Sequence, residues 1–320
     1  MNYSAHSKHL GLAIAALTLA AGACAQTASV SAAIPGVLAA GTPVELIKEG
    51  FTGTEGPVAL PDGSLIFTET RANRITRIAA DGSTSTFLDD SNGANGLGFT
   101  ANGDLYAVQV QQPRVGIVYP PAHARTLAAQ YDGAPFGRPN DLVVDRQGDV
   151  YFTDSGAPAK PGEAPPAKPA VYRITPDGTL QRIAADIARP NGIQLSPDEK
   201  VLYVANTDGE YVLAYDIGAD GRIGPRRNFA RLAGGKPTET GIAGGADGLA
   251  VDAAGRLYVA AYTGVQVFSS KGEPLGTITL PKQPQNLAFA GPDKKTLYVV
   301  GRGAAYKIAL LAEGYGGRAK

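Results

Sequence analysis

Six oxygen-bearing side chains recur along this chain, each opening a short apolar run. They are Glu55 in Glu55-Gly56-Pro57-Val58, Asn95 in Asn95-Gly96-Leu97, and Asn140 in Asn140-Asp141-Leu142. The series continues with Asn191 in Asn191-Gly192-Ile193, Asp247 in Asp247-Gly248-Leu249, and Asn286 in Asn286-Leu287-Ala288. The intervals are 40, 45, 51, 56 and 39 residues. Any one of these residues, taken singly, caps a loop and satisfies backbone groups. As a set aimed at one axis, two carboxylates and several amides are costly unless a cation pairs with them. An all-oxygen set suits a hard divalent ion. Ca²⁺ fits best because it tolerates irregular, high coordination, and Mn²⁺, Mg²⁺ and Zn²⁺ are the other ions open to it.

The elements around these residues give them a common axis. Each is followed by an apolar run, a turn such as Pro61-Asp62-Gly63 or Gln147-Gly148, and a second β-rich run. Repeats of this length, each carrying a hairpin, predict an all-β, six-bladed β-propeller. A radial fold brings the equivalent residue of every blade to the centre. The last repeat, with strands near 285–289, 297–300 and 305–309, is one strand short. A strand over 44–48 is expected to complete it and close the ring, removing the exposed edge. A second register lies 14 or 15 residues after the first, at Glu69, Gln109, Asp154, Asn206, Ala261 and Gly301. An antiparallel partner strand returns to the end where the first began, so both registers are expected on one face. Two long insertions, 157–170 and 233–245, emerge there as candidate rims or lids. Asp62, Asp177 and Asp198 read as β-turn residues with no metal role.

Composition narrows the chemistry. The chain has 320 residues, 41 Gly and 23 Pro spread throughout, and balanced charge of 29 basic against 29 acidic residues. That fits a turn-dense β protein with no basic stripe for nucleic acid. His6 and His9 fall at the start, leaving His123 alone, so a histidine zinc site is disfavoured. No Gly-x-Ser-x-Gly accompanies His123, and no glycine-rich phosphate loop opens a helix. Serine-triad, ATP and nicotinamide chemistry are thereby disfavoured.

Residues 1–25 read as an export signal. Lys8 precedes an apolar stretch, Leu10 to Ala20, and Ala21-Gly22-Ala23-Cys24-Ala25 offers small-residue cleavage sites. The stretch is too short for a good membrane span. The protein is therefore expected to be exported, periplasmic or secreted, with lipid anchoring through Cys24 as the second reading. Residues 26–43 read as a flexible leader, 44–310 as the propeller and 311–320 as a C-terminal tail. A small-molecule substrate is expected, with no nucleic acid, membrane span or protein partner.

The repeat texts resemble the senescence-marker-protein/gluconolactonase/luciferin-regenerating-enzyme family of six-bladed propellers. The matching segments are Thr54-Glu55-Gly56-Pro57 with Leu60-Pro61-Asp62-Gly63, Arg138-Pro139-Asn140-Asp141, Arg189-Pro190-Asn191-Gly192, and Ala246-Asp247-Gly248-Leu249. The resemblance covers roughly 44–310. It implies one divalent ion held by Glu55, Asn191 and Asp247. Asn140 would contact the ion's water or the substrate, and Arg138 a substrate oxygen. The text departs from sugar-lactonase members at 108–112 and at 154–157, where a substrate would be touched. The activity implied is hydrolysis of a lactone, with Asp247 as base and Asp154 or Glu69 as the alternatives. A non-catalytic binding or sensor propeller with a structural ion, and a propeller esterase or lyase, are the competing readings.

Overall fold

The computed structural model describes residue 1, residues 31–157, 167–239, 241–318 and residue 320. The predicted export signal and Cys24 lie outside these apart from Met1. Among the described residues no helix is long and apolar enough to cross a membrane.

Six four-stranded antiparallel sheets follow one another along the chain. Their innermost strands are Thr54–Ala59, Ala94–Phe99, Pro139–Val144, Pro190–Leu195, Leu249–Val251 and Asn286–Ala290. Each packs against the innermost strand of the next blade, and the sixth packs against the first, so the ring is closed. Every residue of the blade 3 and blade 4 innermost strands is buried. The outermost strand of blade 1, Thr84–Asp89, is largely exposed or half-buried. This gradient follows from radial packing. Near the axis both faces of a sheet meet a neighbouring blade, so the strands read as near-continuous apolar runs. At the rim, polar residues protect the edge.

The ring closes as expected, one residue out of register with the prediction. Glu45–Glu49 pairs antiparallel with Ala304–Ala309, the third strand of blade 6, and becomes that blade's outermost strand. The blade thus joins strands from both ends of the chain.

One other expectation is corrected. The described part of the predicted leader, 31–43, is not a flexible segment. Ile34, Val37 and Leu38 are buried with Tyr258, Phe289 and Tyr306 at the junction of blades 5 and 6. A small turn fixes them, with Leu38 N–H donating to the Ile34 carbonyl at 2.9 Å. The small-residue text around them reads as a linker, yet three aliphatic side chains suffice to dock it. The C-terminal segment is likewise packed. Leu311 N–H donates to the Val37 carbonyl at 2.9 Å and Ala253 N–H to the Glu313 carbonyl at 2.8 Å. Arg318 is buried against Glu199 at 3.0 Å, and Lys320 is buried with its ammonium on Asp141. A packed leader makes a measurable demand. Leu38→Ala should lower the unfolding free energy by about 2–5 kcal/mol, read from urea midpoints. A free leader would leave the midpoint unmoved.

Candidate active site

The first register is aimed at the axis by a recurring irregularity. In blades 1 to 4 the innermost strand loses register at the ring residue, directly after it in blade 1 and across it in blades 2 to 4. Pairing jumps from Glu55 to Val58, from Ala94 to Leu97, from Pro139 to Leu142 and from Pro190 to Ile193. A bulge of this kind bends the strand and re-aims the side chain beside it. The glycine after the ring residue has a separate task. A Cβ on Gly56, whose φ is +47°, would lie 2.0 Å from the Asn95 carbonyl oxygen. One on Gly192 would lie 2.2 Å from the Asp247 carbonyl oxygen. Glycine therefore lets one blade's ring residue sit against that of the next blade. Hydroxyls sew the same seams: Thr68 donates to the Asn95 carbonyl at 2.8 Å, and Thr207 to the Ala246 carbonyl at 2.8 Å.

The second register lies on the same face, as expected, but it supports rather than reacts. Glu69 accepts from Thr52 N–H at 3.0 Å, Arg74 Nε at 2.7 Å and the Thr76 hydroxyl at 2.6 Å. These partners outweigh its burial and hold its carboxyl below the usual value. Asp154 accepts from the backbone N–H groups of Gly137, Arg138 and Gly156 at 2.7–2.8 Å. Asn206 accepts from Arg189 N–H at 3.2 Å. Each pins the loop that leads into its own blade's innermost strand. Glu69 and Asp154, the alternative bases, are saturated with donors and are removed from that role.

The six ring residues divide by their partners. Asn95 donates to the Asn140 carbonyl at 2.7 Å and accepts from Thr70 at 3.1 Å. Asn286 donates to Glu55 Oε2 at 3.3 Å, and its oxygen accepts from Leu287 N–H at 2.9 Å. These two amides are structural. Glu55 receives a second amide, Gln285 Nε2, on Oε1 at 3.0 Å. Asn191 donates its Nδ2 to Thr207 at 3.0 Å, which leaves its Oδ1 facing inward. Asn191 Oδ1 and Asp247 Oδ1 are both sealed from solvent with no hydrogen-bond donor. Asn140 is buried, and among the described residues its side chain makes no hydrogen bond. Arg138 is exposed at the mouth.

Sequence reading missed Asp141, Gln285 and Lys320. Asp141 stands where most repeats have glycine. It is fully buried, with Oδ1 accepting from Leu142 N–H at 2.9 Å and Oδ2 paired with the Lys320 ammonium. The break in the Asn-Gly pattern was its only signal. Gln285 precedes Asn286 and had a faint one; Lys320 had none.

The centre is electrostatically tense. Burial pushes the Glu55 carboxyl up to about 7, and the Asp141 carboxylate adds to the rise. The Asn286 amide, Lys320 and Arg138 oppose it. Asp247 is raised well above the carboxylate range by burial first, then by Glu55 and Asp141, while Arg189 and Arg302 oppose. Two orphaned acceptor oxygens beside a strained carboxylate pair are the signature of a missing positive charge. The residues present therefore fit a divalent cation held by Glu55, Asn191 and Asp247. Among the described residues no three His, Cys, Asp or Glu side chains form a metal cluster. The set that fits is mixed, two carboxylates with amide oxygens, which suits a hard ion. Two surface cavities lie away from the ring. One of about 430 Å³ sits between turns of blades 3 and 4, lined by Asp149, Arg173 and Glu199. Another of about 630 Å³ borders Leu232, Gln266 and Phe268. Neither contains a ring residue.

Fold and site together define a six-bladed β-propeller with a polar centre at one end of its axis. The chain belongs to the SMP-30/gluconolactonase/LRE-like family, whose profile matches residues 53–302. It is 31% identical over 288 residues to a gluconolactonase of Zymomonas mobilis, spanning 82% of this chain and 80% of that one. It is 32% identical over 246 residues to a 6-deoxy-6-sulfogluconolactonase of Pseudomonas putida, spanning 73% and 78%. A gluconolactonase structure from Xanthomonas campestris superposes with a TM-score of 0.75 at 30% identity, covering 88% of this chain and 94% of that one.

The raised Glu55 carboxyl carries a pH prediction for the metal-free protein. Its ordinary value is 4.5 and its folded value about 7. The folded state then binds the extra proton, so stability is full below about pH 4.5 and falls as pH rises through 7. The loss should reach about 3 kcal/mol by pH 8. Calcium should restore it, so the rise in melting temperature on adding calcium should be large at pH 8 and small at pH 5. An equal rise at both would show that the ion is not compensating these carboxylates.

Proposed function

We propose that this protein is an exported, metal-dependent hydrolase that opens a lactone. It is a lactonase-type carboxylic ester hydrolase acting on a small molecule. The observation that carries the reading is the state of Asp247. Four other carboxylates are gathered on the face and along the axis. Glu69, Asp154 and Asp141 have both oxygens engaged, and Glu55 is held by two amides. Asp247 alone has no donor on its Oδ1, and none of its oxygens takes part in a hydrogen bond among the described residues. It combines free acceptor capacity with a position at the centre of the ring.

Glu55, Asn191 and Asp247 would hold the ion, with Asn140 beside them. Calcium is the ion that an oxygen-only donor set favours. Such a cation would supply Lewis-acid polarisation of the lactone carbonyl and stabilise the oxyanion that develops there. The chain's own residues do the rest. Glu55 is fixed by Gln285 and Asn286, so one ligand is oriented before anything binds. Arg138, whose backbone N–H is pinned by Asp154 at 2.7 Å, reaches over the mouth to a ring oxygen of the substrate. The Asn140 amide orients substrate or attacking water. Asp247 is the one unsaturated base and receives the proton from that water. The water oxygen bonds to the carbonyl carbon, the ester C–O bond breaks, and the proton taken up by Asp247 passes to the departing alkoxide. The products are a carboxylate and a hydroxyl on one open chain.

The readings separate under acid-release assays of a lactone panel with the protein lacking residues 1–25, in calcium and after chelation. Hydrolysis should require the ion, and Glu55→Gln should abolish it by raising the calcium Kd. Asp247→Asn keeps a ligand oxygen and loses the base. Its kcat at saturating calcium should fall by about 10²–10⁴. Unchanged turnover in Asp247→Asn would remove Asp247 as base. Absence of hydrolysis across the panel by folded, calcium-loaded protein would favour a binding propeller.

A further inference from the structure

The rim of this mouth carries three guanidiniums, of which the reaction outlined above uses only Arg138. Arg138 and Arg189 each stand two residues before a ring asparagine. Arg302 lies just past the returning strand of blade 6, Thr296–Gly301. All three side chains belong to exposed residues, yet their backbones are fixed by the support system. Arg138 N–H donates to Asp154 at 2.7 Å, Arg189 N–H to Asn206 at 3.2 Å, and Arg302 N–H to Gln285 at 2.8 Å. Gln285 in turn holds Glu55 at 3.0 Å, so Arg302 is tied to the centre through one side chain.

Several arginines elsewhere on this protein are ion-paired. Arg222 meets Asp220 at 2.6 Å, Arg226 meets Asp186 at 2.8 Å and Arg256 meets Asp252 at 2.6 Å. At the mouth the three guanidiniums are only lightly engaged, Arg302 Nη2 donating to Gln283 Oε1 at 3.4 Å. Among the described residues Arg138 and Arg302 form no ion pair, and Arg189 only approaches Asp208 at 3.8 Å. Glu210, also on this face, is taken by Arg231. The axis needs none of this rim charge. Glu55, Asp141 and Asp247 bring three negative charges, and Lys320 with a divalent ion brings three positive ones. The rim guanidiniums are therefore not required to balance these three carboxylates, and they are close enough that Arg138 acts on Glu55 and both others act on Asp247. A guanidinium fork matches carboxylate, sulfonate and phosphate oxygens in plane.

We propose that the mouth selects lactones bearing an anionic substituent remote from the ring carbonyl, held by Arg302 and Arg189 while Arg138 serves the ring. This rests on the lactonase reading and deepens it. A neutral lactone would leave the rim charge unused, whereas an anionic one is drawn to the mouth and oriented by it.

The test compares kcat/KM of the calcium-loaded protein for a neutral aldonolactone and for matched lactones carrying a terminal carboxylate, sulfonate or phosphate. At least one anionic lactone should be preferred by roughly tenfold or more, the preference shrinking as salt rises. The favoured arm names the group. Arg302→Gln and Arg189→Gln should each lower kcat/KM for the anionic lactone several-fold more than for the neutral one, mainly through KM. Arg222→Gln, on the opposite face, should leave the ratio unmoved. Equal kcat/KM for all substrates at low salt would overturn the proposal. So would loss by the same factor for neutral and anionic lactones, which would assign the guanidiniums to charge developing in the reaction itself. If no lactone is hydrolysed, the lactonase reading fails and calorimetry decides this one. Tighter binding of a dianionic aldarate than of a monoanionic aldonate, lost in Arg302→Gln, would keep the anion site; equal affinities would remove it.

Discussion

The structure depends on a crowded axis. Closing six sheets into a ring forces six inner strands into contact at their polar ends, where each exposed oxygen or N–H must find a partner or bear the cost of burial. The chain meets this with partners from neighbouring blades. Asn95 reaches the blade 3 backbone, Asn286 and Gln285 reach Glu55 in blade 1, and Thr207 reaches from blade 4 to blade 5. Each blade thus completes the next. The same bonds that close the ring fix the side chains that face its centre.

Function enters where this satisfaction stops. Among the described residues, Asn191 Oδ1 and Asp247 Oδ1 are the ring oxygens sealed from solvent without a donor, and they lie with a carboxylate that burial already strains. A protein optimised only for stability would fill such positions or pair them. The second register explains how the arrangement holds its shape. Glu69, Asp154 and Asn206 spend their hydrogen bonds on the loops leading into the innermost strands, so the reactive register is supported from one strand further out. This division of labour also frees the rim, because Arg138 is held by its backbone and its guanidinium forms no ion pair among the described residues.

The chain ends serve the centre as well. The outermost strand of blade 6 comes from residues 45–49 and covers an edge that would otherwise be open. Residues 34–38 wedge against the junction of blades 5 and 6. The C-terminal segment threads back toward the axis, where Lys320 meets Asp141 and Arg318 meets Glu199. A buried ammonium at that depth partly offsets a carboxylate that adds to the repulsion between Glu55 and Asp247.

The repeat count, the strand that closes the ring and the identity of the central residues were legible in the sequence. They follow from spacing and from a glycine that only close packing between blades requires, and spacing is a property of the chain itself. The roles of those residues were decided by the tertiary structure. Glu69 and Asp154 look like free carboxylates in sequence, and only the folded loops supply the donors that saturate them. Asn95 and Asn191 share the same Asn-Gly text. One is satisfied by a carbonyl and a hydroxyl from neighbouring blades, and the other is left with a bare oxygen. The leader was misread, and the packing of the tail went unseen, for the same reason. Small-residue text does not reveal docking, because the surfaces that Ile34, Leu38 and Lys320 meet are built by strands far away in the chain. Local pattern set which groups reach the axis; contacts between distant blades determined which of them remain free to react.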